Sequence, residues 1–244
     1  MRPIRKGPSP INHVFSNYRN AFPHLVFRLG HYCSYCERPM LTSLHVEHIQ
    51  PKSLPAYVHL EGHWENFLLS CVNCNSHKLT TNVSLQDYLL PDRDNSSAAF
   101  VYRDDGRIDV CPALSPAVKV RAGNTLRLVG LNIHACNVRS QNEIMVALDR
   151  IKQRREVWLH AMEARDDLAA SPRNTCLVSY VIKLALAKGF FSVWMEVFRG
   201  DSSIRNRLID AFPGTRDSGC FDSQTTAHVQ PAPNPDQLPN GGKL

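Results

Sequence analysis

A chain of 244 residues with 43% hydrophobic and 20% charged side chains has the length and apolar content to bury a core in one or two domains. No run approaches the roughly 18 consecutive apolar residues of a membrane-spanning helix, and the start MRPIRKGPSP has no apolar stretch of an export signal, so a cytoplasmic protein without a membrane span is expected. The formal charge of +6 favours an anionic partner.

In chain order, residues 1–30 form a basic segment whose FSNYRNAFPHLVFRLG stretch has the apolar spacing of a short helix. Residues 31–112 read as one unit with a hairpin extension, and its paired cysteines, histidines and asparagines concentrate from Tyr32 to about Thr80. Within them Leu44 and Val46 alternate against His45 and Glu47 as in a strand, NFLLS reads as a second strand, and NSHK opens a helix. AAFVYRDDGRIDV reads as a hairpin about an Asp-Gly turn. Residues 113–214 are helical in pattern, with Gly130, Gly189 and Gly200 at expected helix ends and a break at Pro172.

The longest of these runs, from Asn137 to Ala170, repeats Ile144, Met145, Leu148, Ile151, Trp158, Leu159 and Met162 at three- and four-residue steps, which predicts a core-facing stripe. Arg139, Arg150, Lys152, Arg154, Arg155 and Arg165 would then form the outer face, either simply solvated or steering nucleic acid. Residues 215–244 are rich in Pro, Asn, Gln and Gly and poor in apolar groups, so a disordered tail is expected. The fold class is α+β.

Eight cysteines in a chain of this size without an export signal point to thiols and metal thiolates ahead of disulfides. Cys33 and Cys36 in CSYC, and Cys71 and Cys74 in CVNC, make two CxxC knuckles. Four soft thiolates select Zn²⁺ and close its coordination sphere, so this zinc is structural. Cys111, Cys136, Cys176 and Cys220 have no such spacing and read as core or tail cysteines.

Between the knuckles, Glu47 and His48 fall at the end of the first strand. A histidine with the ordinary value near 6.5 is mostly neutral at pH 7, so His48 can act as a base without a large shift. Asn66, entering the second strand, can hydrogen-bond the imidazole or a nearby backbone carbonyl. Lys52, Ser53, His59 and His63 lie in the intervening loop, where substrate contacts are possible, and Lys78 follows Asn75 by three residues. Lys78 is read either as a phosphate contact or as a solvated lysine.

The order CxxC, VEHIQPKS, WENFLLSCVNCNSHK resembles the HNH endonuclease motif in its four-cysteine form. That resemblance implies a small ββα-metal unit that hydrolyses phosphodiesters of nucleic acid, DNA ahead of RNA. It implies His48 as general base, Asn66 as the residue orienting it, and Glu47 and Asn75 as ligands of one catalytic divalent ion, Mg²⁺ or Mn²⁺. Cys33, Cys36, Cys71 and Cys74 would hold the structural Zn²⁺.

Two positions depart from the commoner pattern: Glu47 replaces Asp, and Asn75 stands where His is frequent, with His77 a rival. Residues two apart on a helix point about 200° apart, so Asn75 and His77 cannot readily face one ion, and Asn75 is preferred. More widely, MRPIRKGPSP, RLGHYCSYCER, LPDRDN, TLRLVGLN and AFPGT resemble the PtuB-type HNH proteins of Septu antiphage defence systems. This implies an ABC/SMC-like ATPase partner of the PtuA type and a restrained nuclease. The competing readings are an RNA-cleaving enzyme and a non-catalytic zinc module that binds nucleic acid or protein.

Overall fold

The computed structural model describes residues 1–133, 140–172 and 174–244. A 3-10 turn over Tyr18–Ala21 leads into helix α1, Phe22–Leu29, which carries a proline in its first turn, where the missing N–H costs nothing. α1 buries Leu25 and Leu29. Strands β1, Leu44–His48, and β2, Phe67–Cys71, pair antiparallel from Leu44 opposite Cys71 to His48 opposite Phe67. Helix α2, Val72–Lys78, follows directly. Every residue of β2 is buried, because α1 and α2 both pack on this strand; this is why its sequence, FLLSC, does not alternate apolar with charged residues.

A single helical turn, α3, Ser96–Ala99, precedes the antiparallel hairpin of β3, Phe100–Tyr102, and β4, Ile108–Val110. The remaining elements are helices: α4, Pro116–Leu128; α5, Gln141–Ala170; α6, Thr175–Lys188; α7, Phe191–Val197; and α8, Ser202–Ala211. The architecture is α+β, two small sheets with a largely helical C-terminal region. Among the described residues no helix is long and apolar enough to cross a membrane.

Helix α5 is rotated from the expected orientation. Met145, Leu148 and Leu159 are exposed at 68%, 47% and 52%, whereas Arg150 and Arg154 lie in the buried stripe with Ala147, Val157, Ala161, Ala164 and Leu168. The small alanines allow α7 to approach closely, and the guanidinium groups reach backbone acceptors that an apolar side chain would leave unpaired. Arg154 Nε donates to the Gly106 carbonyl at 2.6 Å, and Arg150 Nη1 to those of Val129 and Gly130 at 3.0 and 3.2 Å. Asn137, Arg139 and Cys136 lie outside the described residues.

Gly189 ends α6 with φ +68, and a Cβ there would stand 2.6 Å from Pro39 and 2.8 Å from the Glu37 carbonyl. Only glycine permits both the backbone angle and this approach to the first cysteine knuckle, where Phe190 N–H donates to Glu37 O at 3.0 Å.

The expectation of a disordered tail is corrected. Residues 215–244 lie along the body and bury Thr215, Cys220, Phe221, Thr226, Ala232 and Leu238. Asn95 Nδ2 donates to the carbonyls of Cys220 and Val229 at 2.8 and 2.9 Å, Lys243 pairs with Asp94 at 3.1 Å, and Arg5 with Asp236 at 2.7 Å. The segment is held by polar partners supplied elsewhere, which its own composition does not reveal.

Much of the basic N-terminus is also spent internally. Lys6 is buried, pairs with Asp92 at 2.9 Å and donates to the carbonyls of Glu65 and Phe67; Arg93 shares the same carboxylate. Burial alone would raise the Asp92 carboxyl, but Arg93 and Lys6 outweigh it and hold the group well below the usual carboxylate range. Replacing Asp92 with Asn leaves two buried cations without an anion and is expected to cost about 3–5 kcal/mol in denaturant unfolding. A cost under about 0.5 kcal/mol, the scale of a surface substitution, would show that this network does not anchor the N-terminus.

Candidate metal centre and active site

The first cysteine knuckle is docked on β2 by the Ser34 N–H, which donates to Leu69 O at 2.8 Å. Cys71 ends β2 and Cys74 lies in α2, so the strand-to-helix junction carries the second pair towards the first. All four sulfurs are buried and lie within 4.8 Å of one another. Cys36 Sγ and Cys71 Sγ are 3.7 Å apart. That matches the edge of roughly 3.8 Å of a tetrahedron built on metal–sulfur bonds of about 2.3 Å. The four cysteines can therefore hold a structural metal.

Arg150 Nη2 approaches Cys74 Sγ at 3.6 Å. Burial works against this guanidinium, but the charge of the four sulfurs prevails and its pKa is raised. A divalent ion on four thiolates would carry net negative charge, part of which Arg150 would offset from α5. Arg150 was placed on an outer face by sequence periodicity; it is a buried partner of the cysteine centre.

Successive side chains leave a strand on opposite faces, and Glu47 and His48 accordingly have different neighbours. Glu47 Oε2 accepts from Tyr35 O–H at 2.8 Å, and Oε1 faces the Lys78 ammonium at 2.8 Å as an ion pair without an aligned hydrogen bond. The whole group is shut from solvent. Lys78 Nζ also donates to the His48 carbonyl at 2.7 Å. Lys78 is thus neither a solvated lysine nor a phosphate contact in this arrangement: it is buried and ties α2 to the end of β1.

Lys78→Ala leaves the Glu47 carboxylate buried without a countercharge and is expected to lower unfolding stability by about 3–5 kcal/mol. A solvated lysine would give less than about 0.5 kcal/mol.

His48 is nearly buried. Its Nε2 lies 2.9 Å from the Glu61 carbonyl, which can only accept, so Nε2 carries the proton and Nδ1 keeps the lone pair. The imidazole meets Phe67, its cross-strand neighbour, edge-on at 5.2 Å, and Tyr18 at 4.7 Å. Burial holds its pKa below the ordinary value, against the opposite pull of the Glu61 carbonyl and of Glu47.

Asn66 acts on the backbone and not on the ring. Its Oδ1 accepts from Gln50 N–H at 2.8 Å and its Nδ2 donates to Gln50 O at 2.9 Å, fixing the chain two residues beyond His48. Of the loop residues, Lys52 comes near His48: its ammonium lies 4.4 Å from the centre of the Tyr18 ring and pairs with the Glu61 carboxylate. His59 and Ser53 are exposed, and His63 sits 3.9 Å from Glu65.

Asn75 is exposed on α2, one helical turn before Lys78. His77 turns elsewhere, with Nε2 3.1 Å from the Arg127 carbonyl and its ring against Gly130. Of the two ligands that the resemblance implies for a cation, Glu47 is buried with its Oε1 facing the Lys78 ammonium, and Asn75 is exposed on α2. By chemical type they are one anionic and one neutral oxygen donor, which suits a hard divalent ion that keeps several waters. Tyr18, Tyr35, Glu61 and Arg150 escaped sequence reasoning. Of these only Arg150 left a signal, sitting four residues from Arg154 in step with the buried alanines.

Residues 33–80 match the family model described as HNH endonuclease. No curated protein matches the chain.

Proposed function

We propose that this chain, which carries an HNH endonuclease domain at residues 33–80, hydrolyses phosphodiester bonds of nucleic acid with His48 as general base. The observation that carries the reading is the state of the imidazole: Nε2–H is spent on the Glu61 carbonyl, leaving Nδ1 as the proton acceptor. In this reading a water attacks phosphorus as Nδ1 takes its proton. The bond from phosphorus to the leaving oxygen breaks, and that oxygen gains a proton from solvent.

Glu47 and Asn75 would hold one divalent ion, Mg²⁺ or Mn²⁺, and when bound it supplies charge neutralisation at the phosphate and leaving oxygen. Zn²⁺ would occupy Cys33, Cys36, Cys71 and Cys74 in a purely structural role. Lys52, half-exposed beside Tyr18, is the candidate phosphate contact. Asn66 orients the base through the backbone at Gln50.

The wider resemblance to PtuB-type proteins supports a cytoplasmic effector nuclease acting with an ABC/SMC-like ATPase, and DNA as substrate ahead of RNA. The test is parallel digestion of duplex DNA, single-stranded DNA and RNA by the zinc-loaded protein, with and without the ATPase and with and without added Mg²⁺ or Mn²⁺. DNA cleavage that needs the added ion is expected. Faster cutting of RNA would replace the DNA reading. No cleavage of any substrate with ATPase and ion present would leave the binding module.

A further inference from the structure

We propose that Tyr18 is a positioning residue of His48, so that the N-terminal segment belongs to the active site. The proposal rests on the reading of His48 as the general base. The torsion that turns an imidazole about its bond to Cβ is broad, and rotation by half a turn would exchange ring nitrogens for carbons. Neighbours must therefore fix the ring. Tyr18 meets it edge-on at 4.7 Å with the planes 69° apart, and Phe67 at 5.2 Å with the planes 87° apart. Together with the hydrogen bond to Glu61, these two rings hold the imidazole with Nε2 on that carbonyl.

Tyr18 is itself held. The Lys52 ammonium lies over its ring at 4.4 Å and pairs with the side chain of Glu61, the residue whose carbonyl takes the Nε2 proton. Lys52, Tyr18, His48 and Glu61 thus close a ring of contacts.

Three residues before Tyr18, Phe15 N–H donates to Gly62 O at 2.9 Å, next to Glu61. Phe15 is buried, 6.1 Å from the Trp64 ring and 6.0 Å from that of Phe67. A Cβ on Gly62 would stand 2.3 Å from the Phe15 carbonyl, so a glycine is required for the segment to dock. Phe15 and Tyr18 lie N-terminal to residues 33–80, so the matched domain does not contain the segment that docks here.

The experiment compares Tyr18→Ala, Tyr18→Phe and Gly62→Ala in the full zinc-loaded chain by two readouts. One is kcat against KM in nucleic-acid cleavage. The other is the rate at which diethyl pyrocarbonate modifies His48, located by peptide mass spectrometry among the 11 histidines.

Tyr18→Ala and Gly62→Ala are expected to lower kcat by about tenfold or more, with KM within about twofold, and to speed modification of His48 several-fold. Tyr18→Phe, which keeps the ring, is expected to match the wild type in both. Unchanged kcat and unchanged His48 reactivity in Tyr18→Ala overturn the proposal. So does a Tyr18→Phe variant as impaired as Tyr18→Ala, or faster modification spread over all histidines. A wild type that cleaves nothing defeats the nuclease reading alone, and His48 reactivity still decides whether Tyr18 holds the ring.

Discussion

Stripping the metal from the four-cysteine centre, or substituting Cys71→Ser, is expected to lower the melting temperature by about 10–20 °C and to dissolve the β1–β2–α2 unit. The sulfurs are buried in one cluster, and the elements they join are short: two five-residue strands and a seven-residue helix. Such pieces do not hold a core by themselves. Structural zinc contributes about 10–16 kcal/mol in isolated zinc-finger peptides. Here the unit also packs on α1 and is met by Arg150 from α5, so part of the loss is absorbed. A residual cost above about 5 kcal/mol in a chain of this length corresponds to the melting shift given.

Cys71 is the most sensitive position, because it ends β2 and begins the turn into α2. Elemental analysis should give one zinc per chain, and chelation should release it together with the change in circular dichroism. A zinc-free or Cys71→Ser protein that melts like the wild type would contradict the assignment.

What the sequence reveals follows the range of the interaction involved. Periodicity and turn chemistry are local, and they placed β1, β2, α2, the β3–β4 hairpin and the helices of the second half close to where they lie. The CxxC spacing likewise brought Cys33, Cys36, Cys71 and Cys74 to one centre.

Partnerships across the chain were not legible. Lys78 looked like a surface residue until Glu47 and the His48 carbonyl met it from β1. Arg150 and Arg154 looked like an outer face because charge is the usual mark of one, yet each is buried against acceptors contributed by distant residues. The tail looked unfoldable from composition, since its anchors, Asn95, Asp94 and Arg5, lie elsewhere. Tyr18 belongs to the same class: nothing in NYRNA marks it, and the docking of Phe15 on Gly62 brings it to His48.

Replacing His48 with Ala should separate chemistry from folding. Among the described residues the side chain makes ring contacts with Tyr18 and Phe67 and one hydrogen bond to a carbonyl, with no direct bond to the cysteine centre. Its removal leaves a small cavity at the end of β1, a cost of about 1–3 kcal/mol. In the proposed mechanism the same substitution also removes the proton acceptor, and general-base catalysis contributes about 10²–10⁴-fold to rate.

The decisive measurement is the cleavage rate of DNA by wild-type and His48→Ala proteins of equal zinc content, assayed with the same divalent ion and the same ATPase. A fall of about 10²–10⁴-fold with unchanged circular dichroism is predicted. Equal rates in the two proteins would contradict the assignment of His48 as the base.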